Sequence, residues 1–163
     1  MSKAYDRVEW DFLERIMGKL GFSESWIGRI MRGVRPVSYR VLVWGSLGDS
    51  FRPSRGLRQG DPLSPYLFLL CAEGLSSLLT KAEQCGNIHG VKVARGAPPV
   101  SQLFFADDCF IFISATADEG NALKKCLSDY AQAFGQKINF EKSAMSFSAN
   151  MDDATREVMR ELL

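Results

Sequence analysis

Apolar residues recur along the first part of the chain at helical spacing. Trp10, Leu13, Ile16, Met17 and Leu20 share one face at 3.6 residues per turn, and Gly21 supplies the stop. Ser23 suits a helix cap, with Trp26, Ile27, Ile30, Met31 and Val34 on one side of a second helix that Pro36 follows. The pattern then changes. Tyr39 to Trp44 predicts a strand, 45–48 a turn and 49–53 a weak return strand. Residues 55–61 read as a loop with two glycines. Asp61 is a good N-cap, Pro62 suits the first helical position, and Leu63, Leu67, Leu70, Leu75, Leu78 and Leu79 mark a long, mostly buried helix ending near Gly86.

Further on, 88–93 predicts a short strand and 95–99 a loop. The apolar runs 103–105 and 110–113 flank Ala106, Asp107, Asp108 and Cys109, which predicts a hairpin with two carboxylates at its tip. Leu123, Leu127, Tyr130 and Phe134 mark an amphipathic helix with Gly135 as its C-cap residue. Residues 137–140 and 144–147 read as short strands, and 152–163 as a short helix without a packing partner. Helices and strands mix without the regular alternation of a parallel sheet. The expected class is α+β, an antiparallel sheet with helices packed on one face.

Length and composition narrow this picture. At 163 residues, 46% hydrophobic and 24% charged, the chain is in the range of one ordinary globular domain, not a disordered one. The longest nearly apolar run, Tyr66 to Ala72, is far short of a membrane span, so no membrane partner is expected. The first residues are mixed and charged, without a secretory signal. Cys71, Cys85, Cys109 and Cys126 have no paired short spacing and read as reduced thiols. The expectation is an intracellular protein of nucleus or cytoplasm, not a secreted one. Net charge is +1, but Arg29, Arg32, Arg35, Arg40, Arg52, Arg55 and Arg58 are offset only by Asp49 between positions 29 and 58. That window is either a solvated face or a surface for phosphate backbone.

Two features carry candidate chemistry. Adjacent carboxylates at Asp107 and Asp108, flanked by apolar runs, are costly near a core unless a cation neutralises them. Mg²⁺, or Mn²⁺ in its place, is the natural partner of hard oxygen ligands, and phosphoryl transfer commonly uses two such ions. The plain alternative is an exposed Asp-Asp turn. Residues 55–68 read RGLRQGDPLSPYLF. Gly56 and Gly60 permit close backbone approach, the following helix start favours anions, and Gln59 can hydrogen-bond a base or sugar. The plain alternative there is a capped helix start. His89, the single histidine, needs no catalytic role.

Four segments in order resemble the reverse transcriptase family, in the form encoded by plant non-LTR (LINE-type) retrotransposons. Residues 104–108, FFADD, resemble its catalytic hairpin, and 55–68 its template and nucleotide loop. Residues 2–10, SKAYDRVEW, resemble the end of its first catalytic strand, and 135–145, GQKINFEKSAM, a later palm motif. The resemblance covers about residues 1–148. It implies a right-hand polymerase palm fragment over 1–150, with fingers and thumb largely absent, and a helical tail over 151–163 leading to a missing thumb. It implies Asp107 and Asp108 as metal ligands and Tyr5 under the incoming sugar, excluding a 2′-hydroxyl; the plain alternative for Tyr5 is an aromatic packed beside Trp10. Lys3, Ala4 and Tyr5 would approach the triphosphate, and Arg58, Gln59 and Gly60 the template or nucleotide. Lys142 would lie near the departing pyrophosphate, or is a surface lysine. The implied partners are an RNA template, a DNA primer and deoxynucleoside triphosphates; the oligomeric state is open. The family's third metal-binding Asp stands just before the position of Met1. The chain alone is therefore expected to be inactive, and the rival reading is a non-catalytic remnant with weak nucleic-acid binding.

Overall fold

Leu13 and Met17, one helical turn apart, are fully buried in the computed structural model, as the spacing predicts. The structure describes residues 4–106, 108–135 and 138–163, with Phe140 by its backbone alone. These form helices α1 (Trp10–Lys19), α2 (Glu24–Val34), α3 (Ser64–Gln84), α4 (Ala117–Phe134) and α5 (Asp153–Leu162), with short 3₁₀ turns at Tyr5–Arg7 and Phe140–Lys142. Strand β1 (Leu42–Val43) pairs antiparallel with β2 (Ser46–Leu47), and β3 (Gln102–Phe105) with β4 (Asp108–Ile111). The class is mixed helix and antiparallel strand. In place of one sheet, however, the described residues carry two separate two-stranded ones.

The chain divides into two compact units, Lys3–Cys71 with Ala133–Gly135, and Ala72–Gln132 with Gln136–Leu163. In the N-terminal unit the buried faces of α1 (Leu13, Met17) and α2 (Ile27, Met31) join Val8, Leu57, Leu67, Phe68 and Phe134. The Phe134 ring packs on Phe12 and Phe68, with centroids 5.0 and 6.3 Å apart. Ser23 caps α2 by accepting from the Trp26 amide at 3.4 Å, but the Trp26 side chain, expected on the inner face, is 47% exposed.

Several expected boundaries shift for local reasons. Asp61 Oδ1 accepts from the Leu63 amide at 2.8 Å, which holds 61–63 in a turn, so α3 starts at Ser64 and not at Pro62. The predicted strand 39–44 is reduced to a bridge between Tyr39 and Phe51 and a two-residue β1, closed by a loop of Trp44 and Gly45 in place of 45–48. The predicted strand 88–93 makes only the bridge between Val91 and Val100, where Gly90 lies against the Val100 backbone. Residues 144–147 form no strand, and Phe140 begins a 3₁₀ turn where a strand was expected.

In the C-terminal unit Leu75 and Leu79 of α3, Ile88, and Leu123 and Tyr130 of α4 are buried. Helix α5, capped by Asp152 Oδ1 on the Thr155 amide at 2.8 Å, does have a packing partner. Met159 is 2% exposed, and a Cβ at Gly120 of α4 would meet the Leu162 and Met159 side chains. Lys124 Nζ also donates to the Leu162 carbonyl at 2.8 Å.

Candidate functional site

The hairpin of β3 and β4 pairs Gln102 with Ile111, Leu103 with Phe110, Phe104 with Cys109 and Phe105 with Asp108. In the sequence two residues separate the last pair, Phe105 and Asp108. Asp108 is not at the tip, as expected, but is the first residue of β4. Side chains alternate along a strand. Gln102, Phe104, Cys109 and Ile111 form a half-buried face, and Leu103, Phe105, Asp108 and Phe110 an exposed one. The half-buried face is tied to α3: Gln102 Nε2 donates to the Ser76 hydroxyl at 3.1 Å and the Thr80 hydroxyl at 3.2 Å. Burial pushes the Cys109 thiol up, which keeps it a neutral packing group.

Ala106 has φ of 51°, in the left-handed region. Both favoured two-residue hairpin turns require positive φ at the first loop position, where Gly or Asn is usual. An alanine there costs roughly 1–2 kcal/mol. Asp107 lies outside the described residues. Asp108 is exposed, and its side chain has no hydrogen bond or ion pair among them. Its carboxylate is thus a free hard-oxygen donor of the kind Mg²⁺ takes. Among the described residues no group of three or more His, Cys, Asp or Glu side chains could hold a metal ion.

In the N-terminal unit, two of the sequence motifs come together. The Gly56 amide donates to the Val8 carbonyl and the Leu57 amide to the Tyr5 carbonyl, both at 2.8 Å. Trp10 Nε1 donates to the Gly56 carbonyl at 2.8 Å. Gly56 has φ of 95°, and a Cβ there would stand 3.0 Å from the Asp6 carbonyl, so this close approach needs glycine. The Tyr5 ring stacks on Phe68, centroids 5.1 Å apart and planes 20° from parallel. Beside this seam, Asp6, Trp10, Tyr39, Phe51, Arg55 and Arg58 help line a cavity of about 400 Å³.

Arg58, Gln59 and Gly60 are all exposed, and Gly60, at φ of 83°, has open space around it. Ala4 is buried, and Lys3 lies outside the described residues. Lys142 is exposed at the end of its 3₁₀ turn, where its amide donates to the Asn139 carbonyl at 3.1 Å. Tyr5 belongs to the N-terminal unit, and Asp108 and Lys142 to the C-terminal one.

A buried carboxylate escaped the sequence reading. Glu119, 7% exposed, accepts from the His89 amide at 3.0 Å and the Ser114 amide at 2.8 Å, and pairs with His89 Nδ1 at 2.8 Å. Burial pushes its pKa up, but the His89 and Ser114 hydrogen bonds outweigh burial and leave it below the ordinary carboxylate value. Only the capping position of Thr116, three residues before Glu119, hinted at a structured start to α4. His89 is thereby a structural residue on an exposed loop.

Residues 1–158 match the family described as reverse transcriptase (RNA-dependent DNA polymerase). A Pol polyprotein from the type-2 retrotransposable element R2DM of Drosophila melanogaster is 35% identical over 142 residues, 87% of this chain and 13% of the relative. A Pol polyprotein from the type-1 element R2 of Popillia japonica is 26% identical over 151 residues, 93% of this chain and 24% of the relative. An uncharacterized mitochondrial protein of Arabidopsis thaliana is 57% identical over 67 residues, 41% of this chain and 55% of the relative. The chain thus spans about half or less of these relatives. With the family match running through all four motifs, this chain belongs to the reverse transcriptase family and is related to the Pol proteins of non-LTR retrotransposons.

Proposed function

We propose that the chain is the palm core of an RNA-directed DNA polymerase of a plant LINE-type element, an enzyme that adds deoxynucleotides to a primer 3′ end on an RNA template, and that the 163-residue chain by itself binds metal and nucleic acid without carrying out synthesis. The observation that carries this reading is the β3–β4 loop. A left-handed alanine is kept where Gly or Asn would cost less, two residues before the Asp108 carboxylate, which faces solvent without an ion pair among the described residues. Strain of this kind persists where a backbone shape serves a site.

In this reading Asp107 and Asp108 hold Mg²⁺, with Mn²⁺ as a substitute. The ions, when bound, neutralise charge on the attacking and leaving oxygens of the transferred phosphoryl group. Tyr5, held by its stack on Phe68 and by the Leu57 amide on its carbonyl, forms the floor of the sugar site and excludes a 2′-hydroxyl. Lys3 and Ala4 approach the triphosphate. Arg58, Gln59 and Gly60, exposed on one loop, meet the template or incoming nucleotide. Lys142 offers its ammonium to the departing pyrophosphate.

The test is metal binding by the 163-residue chain, followed as loss of free Mn²⁺ signal in electron paramagnetic resonance. Saturable binding that competes with Mg²⁺ and disappears in Asp107→Asn and Asp108→Asn is expected. Equal binding by the wild type and both variants would sink the reading. So would wild-type protein that binds neither Mn²⁺ nor an RNA–DNA primer–template.

A further inference from the structure

The hairpin of β1 and β2 exposes apolar surface that the chain itself does not cover. Val41, Leu42, Val43 and Leu47 are each more than half exposed, and Trp44 at the tip is fully so. Pairing of Val43 with Ser46 leaves a two-residue loop with φ of 50° at Trp44 and 81° at Gly45. Positive φ at both positions is the type I′ requirement, which Asn-Gly meets at least cost. A bulky ring in the left-handed region is an outlier. Trp44 therefore costs the fold conformational energy and returns no burial.

The surrounding charge identifies what such a tip suits. Arg40 and Arg52 flank the bridge of Tyr39 and Phe51 at the base of the hairpin. Among the described residues Arg29, Arg32, Arg40, Arg52 and Arg58 form no ion pair, whereas Arg35 pairs with Asp11 and Glu14, and Arg55 with Glu9. Asp49 is the one acid between positions 29 and 58. The cavity at the hairpin base is lined by Tyr39, Phe51, Arg55 and Arg58. Unpaired cations interleaved with aromatic rings match a strand that carries phosphates and free base faces.

We propose that this hairpin grips unpaired template RNA, with Trp44 stacked on a base and Arg40 and Arg52 on the neighbouring phosphates. The proposal rests on the nucleic-acid partner put forward above, and places its single-stranded part on an element separate from the β3–β4 hairpin. It also explains the backbone cost: the ring is kept for its partner.

The experiment measures binding of the 163-residue chain to a labelled single-stranded RNA, alongside urea unfolding. Trp44→Asn restores the Asn-Gly pair, so stability should hold or rise while affinity falls about 5- to 150-fold, the measured range for one stacked base. Trp44→Phe should keep most of the affinity and Trp44→Leu should lose it. Fully paired RNA should bind all four proteins alike. Leu binding as well as Trp would mean an apolar contact without stacking and overturn the inference. So would substitutions that leave RNA binding intact but abolish binding to anionic phospholipid vesicles or self-association. RNA binding unchanged in every variant refutes the hairpin's role alone; a wild-type chain with no RNA affinity refutes the nucleic-acid reading as well.

Discussion

Trp10 donates its indole N–H to the Gly56 carbonyl across 46 positions of sequence, and this bond locks the SKAYDRVEW segment to the RGLRQGDP loop. Trp10→Phe keeps an aromatic ring, though a smaller one, and strands the Gly56 carbonyl. It should cost roughly 1–3 kcal/mol in urea unfolding. Gly56→Ala should be at least as damaging, because it combines positive φ with a Cβ against the Asp6 carbonyl. Unchanged midpoints in both variants would mean that the seam does not hold the loop.

Electrostatic contact with phosphates leaves a signature in salt. Binding of single-stranded RNA should weaken linearly in log–log form as salt rises, with a slope of about −0.7 per phosphate neutralised. Arg52→Ala and Arg58→Ala remove cations that have no ion pair among the described residues, so each should flatten the slope by about that amount. A slope near zero in the wild type would make the basic window a solvated face.

Primer extension by residues 1–163 on a homopolymer template with Mg²⁺ should be undetectable. Among the described residues β3 and β4 form an isolated pair, with Leu103, Phe105 and Phe110 53%, 81% and 65% exposed. The Asp108 carboxylate is exposed and no ion pair among the described residues fixes it, so it is not held at reaction geometry. Loss of that positioning removes a contribution that reaches roughly 7–11 kcal/mol in well-oriented systems. Robust synthesis, abolished by Asp107→Ala, would contradict this.

Glu119 should make stability depend on acid pH. Its folded pKa lies below the ordinary value of 4.5, so its stabilisation is complete above that pH and is lost as pH falls through the folded value. Glu119→Ala leaves the His89 and Ser114 amides without their acceptor, and should cost about 1–3 kcal/mol at neutral pH. The gap between wild type and variant should narrow as pH drops below 4.5. A gap constant from neutral to acid pH would mean that the charge contributes nothing.

The sequence by itself determined the helices and the family. Amphipathic periodicity and caps are local, so α1, α2, α4 and α5 follow from Leu13 and Met17, Ser23, Tyr130 and Phe134, and Asp152. The four motifs are linear strings, which a family match over residues 1–158 reads in the same way. Tertiary structure decided which apolar runs become strands. Tyr39 to Trp44 and 88–93 have strand composition, yet a strand needs a neighbour to take its hydrogen bonds, and each segment finds only a short one. The same holds for the β3–β4 turn: composition placed both aspartates at the tip, but the pairing of Phe105 with Asp108 put Asp108 in the strand. Long-range partners also set the roles of Trp10, Glu119 and Gly120, through a carbonyl 46 positions away, two amides and a packed α5. No local pattern encodes such contacts, because their free energy arises only when distant segments meet.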